Sequence, residues 1–250
     1  VDALPGTPRF GNRMSDVIAR AREEALMYKE AGIDVLMIEN MHDIPFDRHI
    51  GPEIVAAMAI LGYEVKQATG LRCGIQILAA ANKEALGVAR AAGLDFVRVE
   101  GFVFGHIADE GYIDGCAADL LRYRRHIEAD DILVLTDVKK KHSSHAVTAD
   151  VNILETAHAA EFFLSDGVIV TGVATGTEAS LEELQQVKEA VNIPLLVGSG
   201  VTLENVDRYL AIADALIVGS YFKYDGLWSN TVEYDRVTNF MQKVNRLRTE

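Results

Sequence analysis

Carboxylates, amides, a lysine and paired glycines recur in this sequence where short apolar runs end. Val35–Ile38 leads into Glu39 and Asn40, and the run at 74–78 holds Gln76. Phe96–Val99 holds Arg98 and leads into Glu100, and Ile132–Leu135 leads into Asp137 and Lys139. Gly167–Val170 ends at Thr171 and Gly172, Leu195–Val197 at Gly198-Ser199-Gly200, and Ala215–Val218 at Gly219-Ser220. Glu39, Glu100, Asp137 and Lys139 are the candidate catalytic groups, because acid–base chemistry needs ionisable side chains gathered at one rim. Asn40, Gln76, Arg98 and Thr171 are candidates to orient a substrate. Gly172 and the glycine–serine turns at 198–200 and 219–220 suit an anion, since glycine lets backbone N–H groups converge on a phosphate.

Arg98 lies mid-run between Val97 and Val99. A buried guanidinium needs a carboxylate, and Glu39, Glu100 and Asp137 are the candidates. The same residues fit either a polar layer holding a substrate or a structural ion network. The turn at 171–177 extends the cradle or covers it as a flap. The histidines are less specific. No H-x-H or H-E-x-x-H spacing appears, so no metal and no cofactor is expected; His42, His106 and His142 are the alternative divalent-metal ligands. In the run 139–141 only Lys139 stands at a strand end, where an amine could serve as a Schiff-base nucleophile. Cys73 and Cys116 do not form a disulfide framework.

These residues need a scaffold that brings strand ends together. Continuous β-branched runs of this length suit strands buried on both faces of a parallel sheet. Counting the opening Val1–Leu4 as a truncated first strand, there are eight. Helices are expected near 15–31, 52–69, 82–92, 117–128, 151–160, 180–191, 204–212 and 232–248. Ser15 is the expected cap of the first, and Ser180 with Glu183 reads as a capping box. The junctions Ala31-Gly32-Ile33-Asp34, Ala92-Gly93-Leu94-Asp95 and Ala213-Asp214 each stop a helix and start a strand at once. Eight β–α units without a linker fit one α/β domain over residues 1–250, a single (β/α)8 TIM barrel. A doubly wound sheet is the runner-up, but no G-x-G-x-x-G follows the first strand. In a barrel the working groups project from the C-terminal strand ends, with phosphate after the last two strands.

Lysine and arginine number 24 against 37 aspartates and glutamates, a net charge of −13. That excludes a nucleic-acid partner and electrostatic docking on anionic lipid, while leaving room for a phosphorylated small molecule held by backbone N–H groups. No apolar run is long enough for an integral membrane segment. A cytoplasmic or organellar-matrix location is expected. The chain opens inside a strand, so a leader is expected before Val1. The loop at 101–116, with Phe102, Phe104 and Tyr112, fits a homo-oligomer contact or a lid equally well.

Together these motifs resemble the BtpA/SgcQ family of TIM barrels over nearly the whole chain. The carriers are Ala3–Pro8, Glu39-Asn40 with Asp43–Phe46, Asp137–Ser143, Val170–Gly176, Gly198–Thr202 with Glu204–Val206, and Val218–Lys223. This sequence departs from the family at Arg98-Val99-Glu100, where asparagine is expected at the third position, and at Leu78–Asn82, which is less polar. The resemblance implies one of two roles. One is an enzyme of sugar metabolism or a nucleosidase, a hydrolase or isomerase acting on a phosphosugar or nucleoside. The other is a non-catalytic assembly factor of the kind that serves photosystem I biogenesis.

Overall fold

A computed structural model describes residues 1–140, 142–172 and 178–249. The chain groups into two compact units, residues 1–100 with 118–134, and residues 101–117 with 135–250.

The first unit alternates helix and strand. It holds α1 (Met14–Glu30), β1 (Val35–Glu39), α2 (Pro52–Thr69), β2 (Arg72–Gln76), α3 (Asn82–Ala92), β3 (Phe96–Val99) and most of α4 (Ala117–His126). β1 pairs β2 and β2 pairs β3, both parallel. Gly74 stands opposite the Phe96 ring, which occupies the space a Cβ would need, so the strands approach there only with glycine. The pairing stops at Gln76, two residues earlier than the apolar run suggests. Leu78 lies beyond it because the Asn40 side chain takes the Leu78 N–H at 2.8 Å.

Two expectations are corrected in this unit. Val1–Leu4 does not form a strand. The Val1 nitrogen donates to the Glu39 carbonyl at 2.7 Å and the Leu4 N–H to Asp43 Oδ1 at 2.8 Å, and the segment joins no strand ladder. Ser15 does not cap α1. The helix begins one residue earlier, the Arg13 carbonyl receives the Asp16 and Val17 N–H groups, and the Ser15 hydroxyl turns to Asp16.

The second unit opens with a hairpin of β4 (His106–Ala108) and β5 (Gly111–Ile113). Neither strand was legible as an apolar run. β4 also pairs with β7 (Ser143–Ser144), antiparallel like the hairpin. Of the three aromatic residues expected to make a contact or a lid, Phe102 is core, whereas Phe104 and Tyr112 are exposed. The remaining strands are β6 (Leu133–Val138, its first two residues in the other unit), β8 (Gly167–Thr171), β9 (Leu195–Gly198) and β10 (Ala215–Ile217), adjacent in that order and all parallel. Between them run α5 (Ile153–Phe162), α6 (Leu181–Ala190) and α7 (Val206–Leu210), with α8 (Tyr234–Leu247) last. Ser180 caps α6 through the Glu183 N–H, and Asn152 with Glu155 forms a reciprocal capping box on α5. Val237, Phe240, Met241 and Val244 form the buried stripe of α8, and Phe240 meets the edge of Phe222 at 5.1 Å.

The helix-to-strand junctions share a clamp. Asp95 Oδ2 accepts the Cys73 N–H at 2.7 Å and Lys66 Nζ at 2.6 Å. Asp214 does the same in the second unit, taking the Leu195 N–H at 2.8 Å and Lys188 at 2.6 Å. One carboxylate thus closes an otherwise unpaired strand N–H and ties the strand to the helix before it. Burial raises the Asp214 carboxyl, but Lys188 and the Leu195 N–H outweigh it and hold it below the ordinary range. The ionised form is therefore preferred on folding, and this contribution is lost as pH falls through the folded value. We expect Asp95→Ala to lower stability by about 1–3 kcal/mol, read as a lower urea midpoint at unchanged slope. Asp214→Ala is expected to lose less, because the carboxylate is more exposed, and to lose it only above the acid range.

Candidate functional site

The first unit spends most of its rim polar groups on itself. Glu39 Oε1 receives Arg98 at 3.2 Å, so Glu39, one of the three candidate carboxylates, does pair with it. Asn40, at 1 % exposure, brackets the cis Leu78–Ala79 bond, its Oδ1 taking the Leu78 N–H and its Nδ2 the Leu78 carbonyl. The same Nδ2 donates to Asp43 at 2.8 Å. Asp43 is buried, and burial pushes its carboxyl up against the pull of Asn40, the Leu4 N–H, the N-terminal ammonium and His42. Glu100 is buried and accepts the Ala80 N–H at 3.2 Å, where Ala80 takes a left-handed φ of 52°. Asn82, which the sequence did not flag, binds the Glu100 carbonyl at 2.7 Å. Gln76 is buried at the end of β2 in register with Glu39.

The second unit gathers the other candidates. Asp137 is buried near the end of β6 and lines a small, partly open cavity with Lys139, Lys140, His145, Thr148, Thr156 and the 101–106 segment. Lys139 has a left-handed φ of 46° and donates to the Thr148 carbonyl at 3.2 Å, which fixes its amine in the cavity wall. His106 comes from β4, at 5 % exposure, its ring 5.5 Å from that of His145. His145 Nε2 is taken up by the Lys140 carbonyl at 3.0 Å, whereas His106 Nε2 is buried without a hydrogen-bond partner. Burial, then Lys140 and His145, push the His106 imidazole down to about 4, and Asp137 opposes them only in part. His106 is therefore neutral at pH 7 and can donate or accept. His42 is half-buried in the other unit and His142 is exposed. Among the described residues no group of three His, Cys, Asp or Glu side chains is arranged to hold a metal ion.

Along the same strand ends, Thr171 closes β8, with its Oγ1 buried and unpartnered. Gly198 is in register with Thr171 on one side and Ile217 on the other, so the turns at 198–200 and 219–220 are neighbours. Ser199 and Gly200 both take left-handed φ, 70° and 68°. Asn205, fully buried, pins this turn: Nδ2 binds the Gly200 carbonyl at 2.8 Å and Glu178 at 2.9 Å, and Oδ1 accepts the Thr202 N–H at 2.7 Å. A Cβ on Gly219 would meet nothing within 4 Å, so this glycine leaves open space over the backbone. Gly172 is buried beside Thr171, and the rest of that turn, residues 173–177, lies outside the described residues, as does Lys141.

What the sequence missed here are Thr148, Asn82 and Asn205, together with a base or donor role for His106. Only Asn205 carried a signal, as part of the Glu204–Val206 motif. The geometry generates two predictions. Arg98→Ala should cost about 2–3 kcal/mol in urea titration, at or below the low end of full burial because Glu39 keeps some solvent. His106 has a folded value below its unfolded one, so the stability it confers is full above about pH 6.5 and is lost as pH falls toward 4. His106→Gln should flatten the stability profile across that window, and NMR of the imidazole should find it uncharged at pH 5.5.

The chain matches the BtpA family over residues 1–246. It is 48% identical to a mitochondrial uncharacterized protein of Caenorhabditis elegans, over 99% of this chain and 91% of that one. It is 32% identical to the photosystem I biogenesis protein BtpA of Synechocystis, over 96% and 83%. Among solved structures it is similar to thiamine phosphate pyrophosphorylase of Pyrococcus furiosus, with TM-score 0.61, 16% identity and 90% of each chain covered. Orotidine 5'-phosphate decarboxylase of Pyrococcus horikoshii gives TM-score 0.61 and 15% identity over 91% of this chain and 94% of that one. At such low identity these likenesses concern the fold alone, the α/β TIM-barrel class. Among the described residues no helix is long and apolar enough to cross a membrane. The family match and the Synechocystis relative together carry one conclusion, that this chain is a member of the BtpA family.

Proposed function

We propose that this chain is an enzyme acting on a phosphorylated small molecule, a sugar phosphate or nucleoside-type phosphate, by isomerisation or by cleavage of a C–N or C–O bond. The observation that carries this reading is the shared edge of β6, β8, β9 and β10. Asp137 and Lys139 stand at one end of it and the two glycine turns at the other. Backbone N–H groups of Gly198–Gly200 and Gly219–Ser220 hold the phosphate, and Asp137 with Lys139 supplies proton transfer at the far end. Glu39, Glu100 and Arg98, with Asn40 and Gln76 beside them, are the candidate polar groups of the other unit, at the ends of β1, β2 and β3. Two neighbours of the same fold are named for phosphorylated compounds, thiamine phosphate and orotidine 5'-phosphate, which supports a phosphorylated ligand as a class. The cavity beside Asp137 encloses about 20 Å³, so a substrate lies across its mouth and reaches in with one group.

A second reading is an assembly factor without turnover. It is supported by the Synechocystis relative's role in photosystem I biogenesis. Thermal shift with inorganic phosphate, ribose 5-phosphate and a nucleoside 5'-monophosphate separates the two, with consumption followed by phosphorus NMR. A ligand at a hundred times its Kd adds about 2.7 kcal/mol of stability, a rise of several degrees. Gly219→Val should abolish that rise and keep the wild-type melting temperature, since the new side chain enters open space. Asp137→Asn should cut turnover about a hundredfold with little change in affinity. Stabilisation with no consumption of any ligand supports the assembly role. If no phosphate compound stabilises the protein, the enzyme reading falls.

A further inference from the structure

The polar atoms this rim leaves unpartnered describe the substrate more closely than its phosphate turns do, and an inference from them rests on the phosphate-binding role proposed for those turns. Registered neighbours in a parallel sheet point to the same face, and residues two apart share it. Asp137 is in register with Ile169, Thr171 with Gly198, and Gly198 with Ile217. The surroundings of Gly198 agree: a Cβ there would meet Thr171 Cγ2 at 3.4 Å, Ile169 Cγ2 at 3.6 Å and Ile217 Cβ at 3.9 Å. Asp137, Thr171 and the Gly198 turn therefore lie on one face in that order. Strands about 4.8 Å apart put the Gly198 turn roughly 10 Å from the strand of Asp137, with Thr171 halfway. A five- or six-carbon monophosphate in its open-chain form spans that length.

Among the described residues of this unit, two buried polar atoms have no hydrogen-bond partner, Thr171 Oγ1 and His106 Nε2. Buried polar groups are normally paired, and at a functional rim the missing partner is a ligand. His106 lines the cavity that Asp137 lines, while its neighbour His145 is already occupied by the Lys140 carbonyl. We propose that His106 is a catalytic residue: its Nε2 hydrogen-bonds the carbonyl oxygen of an open-chain sugar phosphate, Asp137 removes a proton from the adjacent carbon, and Thr171 binds a hydroxyl between the reacting carbons and the phosphate.

The chemistry balances as an aldose–ketose isomerisation. The Asp137 carboxylate takes the carbon-bound proton next to the carbonyl. The C–H electron pair becomes a C=C bond, and the carbonyl π pair moves to oxygen. That oxygen takes the Nε2 proton of His106, and the imidazole regains one from the neighbouring hydroxyl. Asp137 then returns its proton to the former carbonyl carbon. No atom or electron is gained or lost. A neutral imidazole is suited to this, because its N–H polarises the carbonyl and the ring left after donation is basic enough to take the proton of the neighbouring hydroxyl. Lys140, His145 and Asp137 are the charged or titratable groups that face it; burial first, and then Lys140 and His145, keep it neutral.

The test uses ribose 5-phosphate and glucose 6-phosphate in D2O, with proton NMR following deuterium entry at the carbon beside the carbonyl. Inorganic phosphate affinity is measured in parallel by calorimetry. Wild type should exchange. His106→Gln and His106→Asn, each checked by melting curve, should slow exchange about a hundredfold and leave inorganic phosphate affinity unchanged. Thr171→Val should weaken the sugar phosphates but not inorganic phosphate. Exchange unaffected in both His106 variants overturns the proposal. So does phosphate binding, abolished by Gly219→Val, with no exchange of either sugar, and in that case the phosphate site itself stands. Absence of any phosphate binding overturns the proposed function and this inference with it.

Discussion

A parallel sheet offers its inward side chains neither water nor a spare backbone group until the strands end. A polar residue placed there is satisfied by whatever the next loop brings, or by a ligand. Much of this protein can be read as solutions to that constraint. Glu39 is answered by Arg98, Asn40 by the Leu78 peptide and Asp43, and Glu100 by the Ala80 N–H. In the second unit Asn205 is answered from three sides by Gly200, Thr202 and Glu178. His106 Nε2 and Thr171 Oγ1 are answered by no group among the described residues, which is why the chemistry is proposed at them.

The opposite ends of the strands work differently. There the clamps of Asp95 and Asp214 close the strand N–H groups and draw Lys66 and Lys188 down onto them. None of these four residues lines the cavity beside Asp137. This division follows the general rule for such folds, in which one end of the strands stabilises and the other end works. It allows loops at the working end to change without loss of the sheet, and the hairpin of β4 and β5 is such an elaboration.

The net charge of −13 sits beside a site proposed to bind an anion. The two are compatible because the anion is held locally. Backbone N–H groups of glycine turns carry no net charge and need no basic face, and Lys139 and Lys140 add cations only at the cavity. Long-range attraction of a substrate is not part of such a design, so ligand capture depends on contacts made at the turns.

The alternation of apolar runs and amphipathic segments determined the fold by itself, because burial on both faces of a strand leaves a periodicity that few alternatives share. The helices at 52–69 and 82–92 and the parallel strands are legible on that ground. So were the strand ends and the ionisable residues that stand at them, since strand ends are readable wherever apolar runs stop. The hairpin was not legible: three-residue strands carry too short a pattern. Nor was the pairing of Glu39 with Arg98, because register between distant strands decides which carboxylate comes within reach. The role of His106 was the least visible. A histidine in a loop is ordinary as sequence; only the packing of β4 against the segment after β6 buries its ring, surrounds it with Lys140 and His145, and leaves Nε2 without a partner.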